Sequence, residues 1–299
     1  MSGHSKWSQI KRQKGSNDQK RGAIFSKLAK AITLAARGGA DPATNFLLRI
    51  AVDKARSSNM PKDNIDRAIA RSSGGSGQTA LEEIIFEAYG PGGTCYLITT
   101  ATENRNRTVS DIRAVLNKFG AQLAGAGSVG YQFERLGQLI VPAGEDPDST
   151  ELAAIDAGAE RIERHEMELV IFCQPSELEM TRERLEEANI EASEIGLVNE
   201  PTTAVEVTDQ PLADKLLKLV FALEELDDVV RVEDNFRTAI EWAAQTGDAE
   251  LALRLGAGLW WSWYVRGQYA EGRHVLDTIL AVPGGDHVPM RAKAQTGAG

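Results

Sequence analysis

The spacing of apolar residues changes twice along this chain, and each change predicts a different kind of structure. From Ile24 to Ser72, apolar side chains such as Phe25, Leu28 and Ile32 recur at three- and four-residue steps, which is typical of amphipathic helices. Three short helices are expected, one from Ile24 to the Gly38-Gly39 stop, one over about 43–57, and one that Pro61 opens. The run 72–77, Ser-Ser-Gly-Gly-Ser-Gly, then predicts a flexible linker.

Beyond the linker the apolar period shortens to two, which predicts strands. Alternating residues on either side of Gly90-Pro91-Gly92-Gly93 indicate a hairpin, and a helix is expected after it with Thr108 and Asp111 as a capping box. Further helices are expected near 150–157, 175–188 and 212–223, and further strands near 131–133, 139–141, 169–173, 195–198, 204–207 and 229–232. This order of helices and strands indicates two α+β units with a ferredoxin-like arrangement.

The last 63 residues, 237–299, have a helical pattern throughout and hold four of the five tryptophans. Their spacing of glycine, tyrosine and leucine resembles one tetratricopeptide-type repeat, and the sequence stops where the next helix of such an array would begin. One repeat cannot bury its own apolar face. The tail is therefore expected to be an all-α appendage.

Charge divides the chain differently from the hydrophobic pattern. The whole sequence carries −10, yet its first 37 residues contain nine basic residues and one acid. Residues 75–236 hold 12 basic and 32 acidic residues, and 237–299 hold six of each. Clustered Lys and Arg gain free energy on phosphate backbones through counterion release, so the basic arm predicts a polyanionic partner.

Several functional classes are disfavoured by what the sequence lacks. It has no apolar run of about eighteen residues and no secretory signal pattern, so we expect a soluble, cytoplasmic protein that does not bind membranes. Cys95 and Cys173 stand apart in apolar runs and are expected to be buried, inert thiols rather than a disulfide or zinc ligands. His165 and His274 have no nucleophile at activating spacing. We therefore expect no enzyme, no metal, no cofactor and no small-molecule substrate.

Two segments are candidates for nucleic-acid contact. The arm combines cations with His4 and Trp7, a mixture that suits phosphates and a stacked base, although Trp7 could instead pin a solvated tail to its own helical domain. Asn104-Arg105-Asn106-Arg107-Thr108 precedes a helix and could bind phosphate there, or its arginines could pair with neighbouring acids. The G-x-G-x-x-G match at 125–130 is expected to be a loop, because no helix follows it.

Several motifs over residues 1–236 resemble the YebC/PmpR family in order and spacing. They are Gly3-His4-Ser5-Lys6-Trp7, Lys20-Arg21-Gly22, Asn59-Met60-Pro61-Lys62-Asp63-Asn64-Ile65, Tyr89-Gly90-Pro91-Gly92-Gly93, Asn104 to Thr108 and Leu226-Asp227-Asp228-Val229. The resemblance implies an α+β multidomain fold with a helical N-terminal domain and two α+β domains, one of them ferredoxin-like and inserted in the other. The expected segments are a mobile basic arm over 1–22, a helical domain with linker over 23–77, an α+β domain over 78–133 and 202–236, the insert over 134–201, and the tail over 237–299.

The resemblance implies two alternative functions. Family members are described as transcriptional regulators that bind DNA, while others, including a mitochondrial translational activator of cytochrome oxidase subunit I, act on ribosomes and relieve stalling at proline-rich stretches. The predicted contacts with DNA or ribosomal RNA are His4, Lys6, Trp7, Lys11, Arg12, Lys14, Lys20, Arg21, Lys62, Arg105 and Arg107. A protein–protein scaffold is a further alternative. The tail departs from the family, so we expect either a fusion with a fragment of an unrelated bacterial regulator or a partner-binding appendage.

Overall fold

A computed structural model describes residues 22–72, 81–164, 168–207 and 209–237. The chain divides into two compact units. Within the described residues, the first unit consists of residues 22–72 and 81–85, together with Thr99–Asp111 and Glu224–Arg231. The second takes Phe86–Ile98, residues 112–223 except their gaps, and residues 232–237. Residues 1–21 of the predicted arm over 1–22, and residues 238–299 of the predicted tail over 237–299, lie outside the described residues.

Three helices open the first unit, as the hydrophobic spacing predicts. They are α1 over 22–35, continued by a 3₁₀ turn at Ala36–Gly38, α2 over Phe46–Ser57 and α3 over Lys62–Ser72. The side chain of Asn45 accepts from the Leu48 amide at 3.1 Å and donates to the carbonyl oxygens of Ala35 and Gly39, so one residue caps α2 and ties it to the end of α1. A shared core is formed by Ile32, Ala36, Leu48, Val52, Ala55, Met60, Ile65 and Ala68.

The first sheet contains the predicted hairpin. Strands β1 (Glu82–Tyr89) and β2 (Cys95–Thr102) are joined by the turn Pro91–Gly93, and helix α4 follows over Arg105–Lys118. With β3 (Gln122–Leu123) and a later strand β9 (Val229–Asp234), they form a four-stranded sheet in the order β3-β1-β2-β9. Every residue of β2 is buried, as expected for a central strand with both faces covered.

A second sheet lies entirely within the second unit. Its elements are β4 (Phe133–Pro142), α5 (Pro147–Ala157), β5 (Arg161–Arg164), β6 (Glu168–Cys173), α6 (Leu178–Glu187) and β7 (Glu194–Pro201). The strand order β5-β6-β4-β7, antiparallel throughout, gives the ferredoxin-like βαββαβ arrangement. Gly137 of β4 lets α6 approach closely, since a Cβ there would lie 2.9 Å from Cys173 Sγ and 3.0 Å from Leu178 Cδ1.

The remaining elements are β8 (Val205–Glu206), α7 (Gln210–Glu224) and β10 (Phe236–Arg237). Strands β8 and β10 pair in parallel, with Phe236 opposite Val205. The α+β fold class is confirmed for the described residues: helices come first in the chain, and two four-stranded antiparallel sheets follow. The domain boundaries expected from the sequence stay predictions.

Three local predictions were wrong. Helix α4 begins at Arg105 rather than near Thr108, because Asn104 Oδ1 accepts from the Arg107 amide at 3.1 Å and supplies the cap. The strands expected at 131–133 and 139–141 are one strand, β4, preceded by a 3₁₀ turn at Gly130–Gln132. Strand β5 was not predicted, because its sequence Arg-Ile-Glu-Arg has a single apolar residue.

Candidate nucleic-acid interface

The predicted contact residues fall into two groups in the structure. Those of the arm, His4, Lys6, Trp7, Lys11, Arg12, Lys14, Lys20 and Arg21, lie outside the described residues. Lys62, Arg105 and Arg107 are described, and all three belong to the first unit. What the structure adds is the set of contacts that holds the helix directly after the arm.

The centre of these contacts is the carboxylate of Asp228, whose side chain is 8% exposed. Its Oδ1 accepts from Lys30 Nζ at 2.7 Å, and its Oδ2 accepts from Arg107 Nη2 at 2.6 Å. The hydroxyls of Thr108 and Thr102 donate to the same Oδ2 at 2.8 and 3.2 Å. One carboxylate therefore joins α1, the end of β2, the start of α4 and the turn before β9. We call these five residues the Asp228 cluster.

The electrostatics of the cluster favour the ionised form of Asp228. Burial acts to raise its pKa, but the hydrogen bonds from Arg107, Lys30 and Thr108 outweigh burial and lower the pKa from 3.8 to about 2. The same hydrogen bond raises the pKa of Arg107 above its ordinary value. The carboxylate is thus charged, paired and fixed across the physiological range.

Further cations of α1 and its end are also used inside the first unit. Lys27 Nζ donates to the carbonyl of Glu224, the last residue of α7, where a cation compensates the negative end of the helix dipole. Lys30 donates a second bond, of 2.7 Å, to the Asp227 carbonyl, and Arg37 donates to the Leu81 carbonyl. Thus three of the nine basic residues among the first 37 bind internal acceptors. The other six lie in 1–21, with one acid.

The described candidates differ in their surroundings. Arg105 and Arg107 lie on the first turn of α4, and both residues are exposed. Arg107 keeps 57% of its side chain in solvent while it pairs with Asp228. This ion pair matches the alternative stated for residues 104–108, in which the arginines pair with neighbouring acids. Lys62 is exposed at the first residue of α3, on a different element. Contact of these three residues with nucleic acid stays a prediction.

Sequence reasoning missed the role of Asp228 and Lys30. The motif Leu226-Asp227-Asp228-Val229 carried part of the family resemblance, but nothing in its spacing showed that Lys30, 198 residues away, would be its partner. The one sequence signal for this contact was the presence of two motifs with charged residues, Asn104 to Thr108 and Leu226 to Val229. The structure brings these two motifs together.

The glycine-rich loop at 125–130 already holds an anion of its own. The Glu87 carboxylate accepts from the amides of Gly127 and Val129, each at 2.6 Å, and of Gly130 at 3.0 Å. Burial acts to raise the pKa of Glu87, but these backbone hydrogen bonds lower it below its ordinary value. The strand β4 follows this loop rather than a helix. The amides of the loop therefore bind an internal carboxylate, not the pyrophosphate of a dinucleotide.

Between 22 and 237, gaps aside, no group of three or more His, Cys, Asp or Glu could hold a metal ion, and no helix is long and apolar enough to cross a membrane. Cys95 and Cys173 are free and buried, and burial raises the pKa of both thiols. A buried thiol of raised pKa is a poor nucleophile.

Comparison with known proteins covers the same part of the chain. The TACO1/YebC protein N-terminal domain model matches residues 5–75, and the TACO1/YebC second and third domain model matches residues 81–236.

Proteins from bacteria are similar over almost their whole length. A "probable transcriptional regulatory protein" of Halothermothrix orenii is 46% identical over 240 residues, which are 79% of this chain and 95% of the relative. One of Rubrobacter xylanophilus is 47% identical over 248 residues, 82% of this chain and 99% of the relative. The crystal structure of a conserved hypothetical protein from Aquifex aeolicus matches with a TM-score of 0.67 and 40% identity, covering 74% of this chain and 91% of that one.

Proposed function

The chain belongs to the TACO1/YebC family, and we propose that it is a non-enzymatic regulator of gene expression that acts by binding nucleic acid. Relatives that are 44–46% identical over the aligned residues carry the name "probable transcriptional regulatory protein", which supports a regulator. The proposal assigns the contacts to the basic arm, with Arg105, Arg107 and Lys62 as additional contacts in the described part.

The observation that carries the proposal is the separation of charge. Residues 1–21 hold six basic residues and one acid, while the cations that follow, Lys27, Lys30 and Arg37, bind acceptors inside the first unit. Residues 134–201 hold 18 acids and five bases, which would repel a phosphate backbone. The highest density of unpaired positive charge in the sequence is therefore expected at the beginning of the chain, with Lys62, Arg105 and Arg107 as the additional contacts.

The Asp228 cluster fixes the position of the helix that follows the arm. It holds α1 by Lys30, and α1 begins at residue 22, directly after the arm. An arm that starts from a fixed helix loses less conformational freedom on binding than one that starts from a mobile helix. The cluster therefore positions the arm rather than contacting phosphate, apart from the exposed part of Arg107.

One observation disfavours readout of duplex DNA by a recognition helix and so keeps ribosomal RNA as an alternative target. The pair α2–α3 is joined by four residues, 58–61, and so has the spacing of a helix-turn-helix. Its second helix, however, exposes Asp63 and Asp66, and the Arg67 guanidinium bonds the Asp63 carbonyl and Asn64. Two exposed carboxylates disfavour insertion of this helix between the phosphates of a major groove. A ribosome-associated translation factor is thus the second candidate.

The test compares two variants that each remove two cations. The variant Lys11→Gln/Arg12→Gln changes the arm, and Lys215→Gln/Lys218→Gln changes two exposed lysines of α7. We titrate labelled duplex DNA and labelled ribosomal RNA with each full-length protein between 50 and 200 mM salt. With about six phosphate contacts, affinity should fall by roughly three orders of magnitude over this range.

The arm variant should lower the slope of log K against log salt by about two, and the α7 variant should leave the slope unchanged. Equal slopes for all three proteins would contradict the assignment to the arm. Tighter binding to RNA than to DNA at matched salt would favour the ribosomal candidate, and the reverse would favour a DNA-binding regulator.

A further inference from the structure

Helix α5 exposes its two largest apolar side chains to solvent and buries smaller residues. It buries Thr150, Ala154 and Ala157, while Leu152 and Ile155 are 64% and 54% exposed. A helix that served only the core would bury the leucine and isoleucine and expose the alanines, because the larger aliphatic side chains gain more from burial. Leu152 and Ile155 are three residues apart and thus lie on one face of the helix.

This face has an acidic rim. Asp148, Glu151 and Asp156 belong to the same helix, and Arg164 Nη1 neutralises part of their charge, at 2.5 Å from Asp148 Oδ1 and 3.8 Å from Glu151 Oε2. Over residues 134–201 the 18 acids and five bases leave a net charge of −13. An exposed apolar pair thus lies in a strongly negative field.

From this combination we infer that the Leu152–Ile155 face of α5 docks a basic protein segment that carries apolar anchor residues. The charge selects the occupant. A second copy of the face would place like charges opposite each other, and nucleic acid would be repelled by the same field. A Lys- or Arg-rich protein surface gains from both the apolar contact and the charge. The inference is independent of the proposed nucleic-acid binding, which uses the first unit.

The experiment titrates the full-length protein with a labelled 14-residue amphipathic helix of leucine and lysine, and with an all-lysine peptide of equal charge. Fluorescence anisotropy at 150 mM salt measures both affinities. The test variants are Leu152→Ser/Ile155→Ser, which removes the apolar pair, and Asp156→Lys, which reverses an exposed charge of the rim. Leu47→Ser is the matched control, since Leu47 is 46% exposed on α2 in the first unit.

The leucine–lysine peptide should bind the unmodified protein at least tenfold more tightly than the all-lysine peptide. The Leu152→Ser/Ile155→Ser variant should lose that tenfold preference, Asp156→Lys should weaken both peptides, and Leu47→Ser should change neither. Circular dichroism confirms that each variant is folded.

Three results would overturn the inference. They are an unchanged peptide preference in the Leu152→Ser/Ile155→Ser variant, a loss of DNA or RNA binding in that variant, and a dimer-to-monomer change on sedimentation of that variant. The last two would assign the face to nucleic acid or to a second copy, respectively. Because nucleic-acid binding is measured separately on the same proteins, failure of this inference is distinguishable from failure of the proposed function.

Discussion

Replacing Asp228 by Asn should loosen the first unit while leaving its shape intact. Asparagine retains an oxygen that can accept from Thr102 and Thr108, but it has no charge to offer Lys30 and Arg107. The variant therefore removes the ionic part of the Asp228 cluster and little else. Asp227→Asn is the matched control, because the neighbouring Asp227 side chain is exposed and the change in charge is the same.

The size of the effect follows from the pKa of Asp228. A fall from 3.8 to about 2 corresponds to about 2.4 kcal/mol at neutral pH. Because Arg107 keeps 57% of its side chain in solvent, its share is screened, and we expect a loss of about 2 kcal/mol. The lowered pKa means that this stability is fully present above pH 4 and is lost as the pH falls toward 2. At pH 3 about half of it should remain.

Amide hydrogen exchange measures this loss locally. The Ala101 amide donates to the Asp228 carbonyl at 2.8 Å, so peptides covering 99–111 and 224–231 report on the cluster. A loss of about 2 kcal/mol should speed their exchange about thirtyfold at pH 7 and about fivefold at pH 3. Asp227→Asn should change exchange less than threefold at either pH.

Equal exchange rates in Asp228→Asn and the unmodified protein at pH 7 would show that the ionic contacts of Asp228 do not stabilise the first unit. A difference that does not shrink between pH 5 and pH 3 would show the same, because the electrostatic contribution must disappear as Asp228 takes up a proton. An effect of the same size in Asp227→Asn would show that net charge, rather than the cluster, sets the stability.

Three further changes have defined outcomes. Glu87→Gln should destabilise the loop at 125–130 by about 2 kcal/mol, and the loss should shrink as the pH falls below the ordinary carboxyl pKa of 4.5, as hydrogen exchange of that loop would measure. Gly137→Ala should lower stability by about 1–3 kcal/mol in urea unfolding, since its methyl group would meet Cys173 Sγ at 2.9 Å. Asn45→Ala should cost about 1 kcal/mol in the same assay, through loss of the α2 cap, and an unchanged midpoint would contradict that role.

Local signals in the sequence predicted most elements of the fold. Gly38-Gly39 ends the first helix at its 3₁₀ turn, Pro61 precedes α3, and the glycine-rich turn at 90–93 joins β1 to β2. These signals act within a few residues, so they can be recognised without knowledge of the tertiary structure. Strand β5 was not predicted, because its stability comes from pairing with β6 rather than from its own apolar residues.

The candidate site was predicted only in part, because its contacts are distant in sequence. Arg107 was recognised as a charged residue at a helix start, but its acceptor Asp228 lies 121 residues later. Thr108 was assigned to a cap, whereas its hydroxyl is buried and bonds Asp228. Local spacing cannot distinguish a threonine that caps a helix from one that supports a buried carboxylate. The chain must fold before these groups meet.

Sedimentation of the tagged full-length protein in a sucrose gradient of its own cell lysate tests whether the basic arm binds nucleic acid. The runs compare low and moderate salt, with and without nuclease, for the unmodified protein and for Lys11→Gln/Arg12→Gln. We expect the unmodified protein to sediment with nucleic acid or ribosomes at low salt, and we expect nuclease, moderate salt or the two substitutions each to return it to the top of the gradient. Sedimentation that none of these treatments changes would show that the arm does not bind nucleic acid.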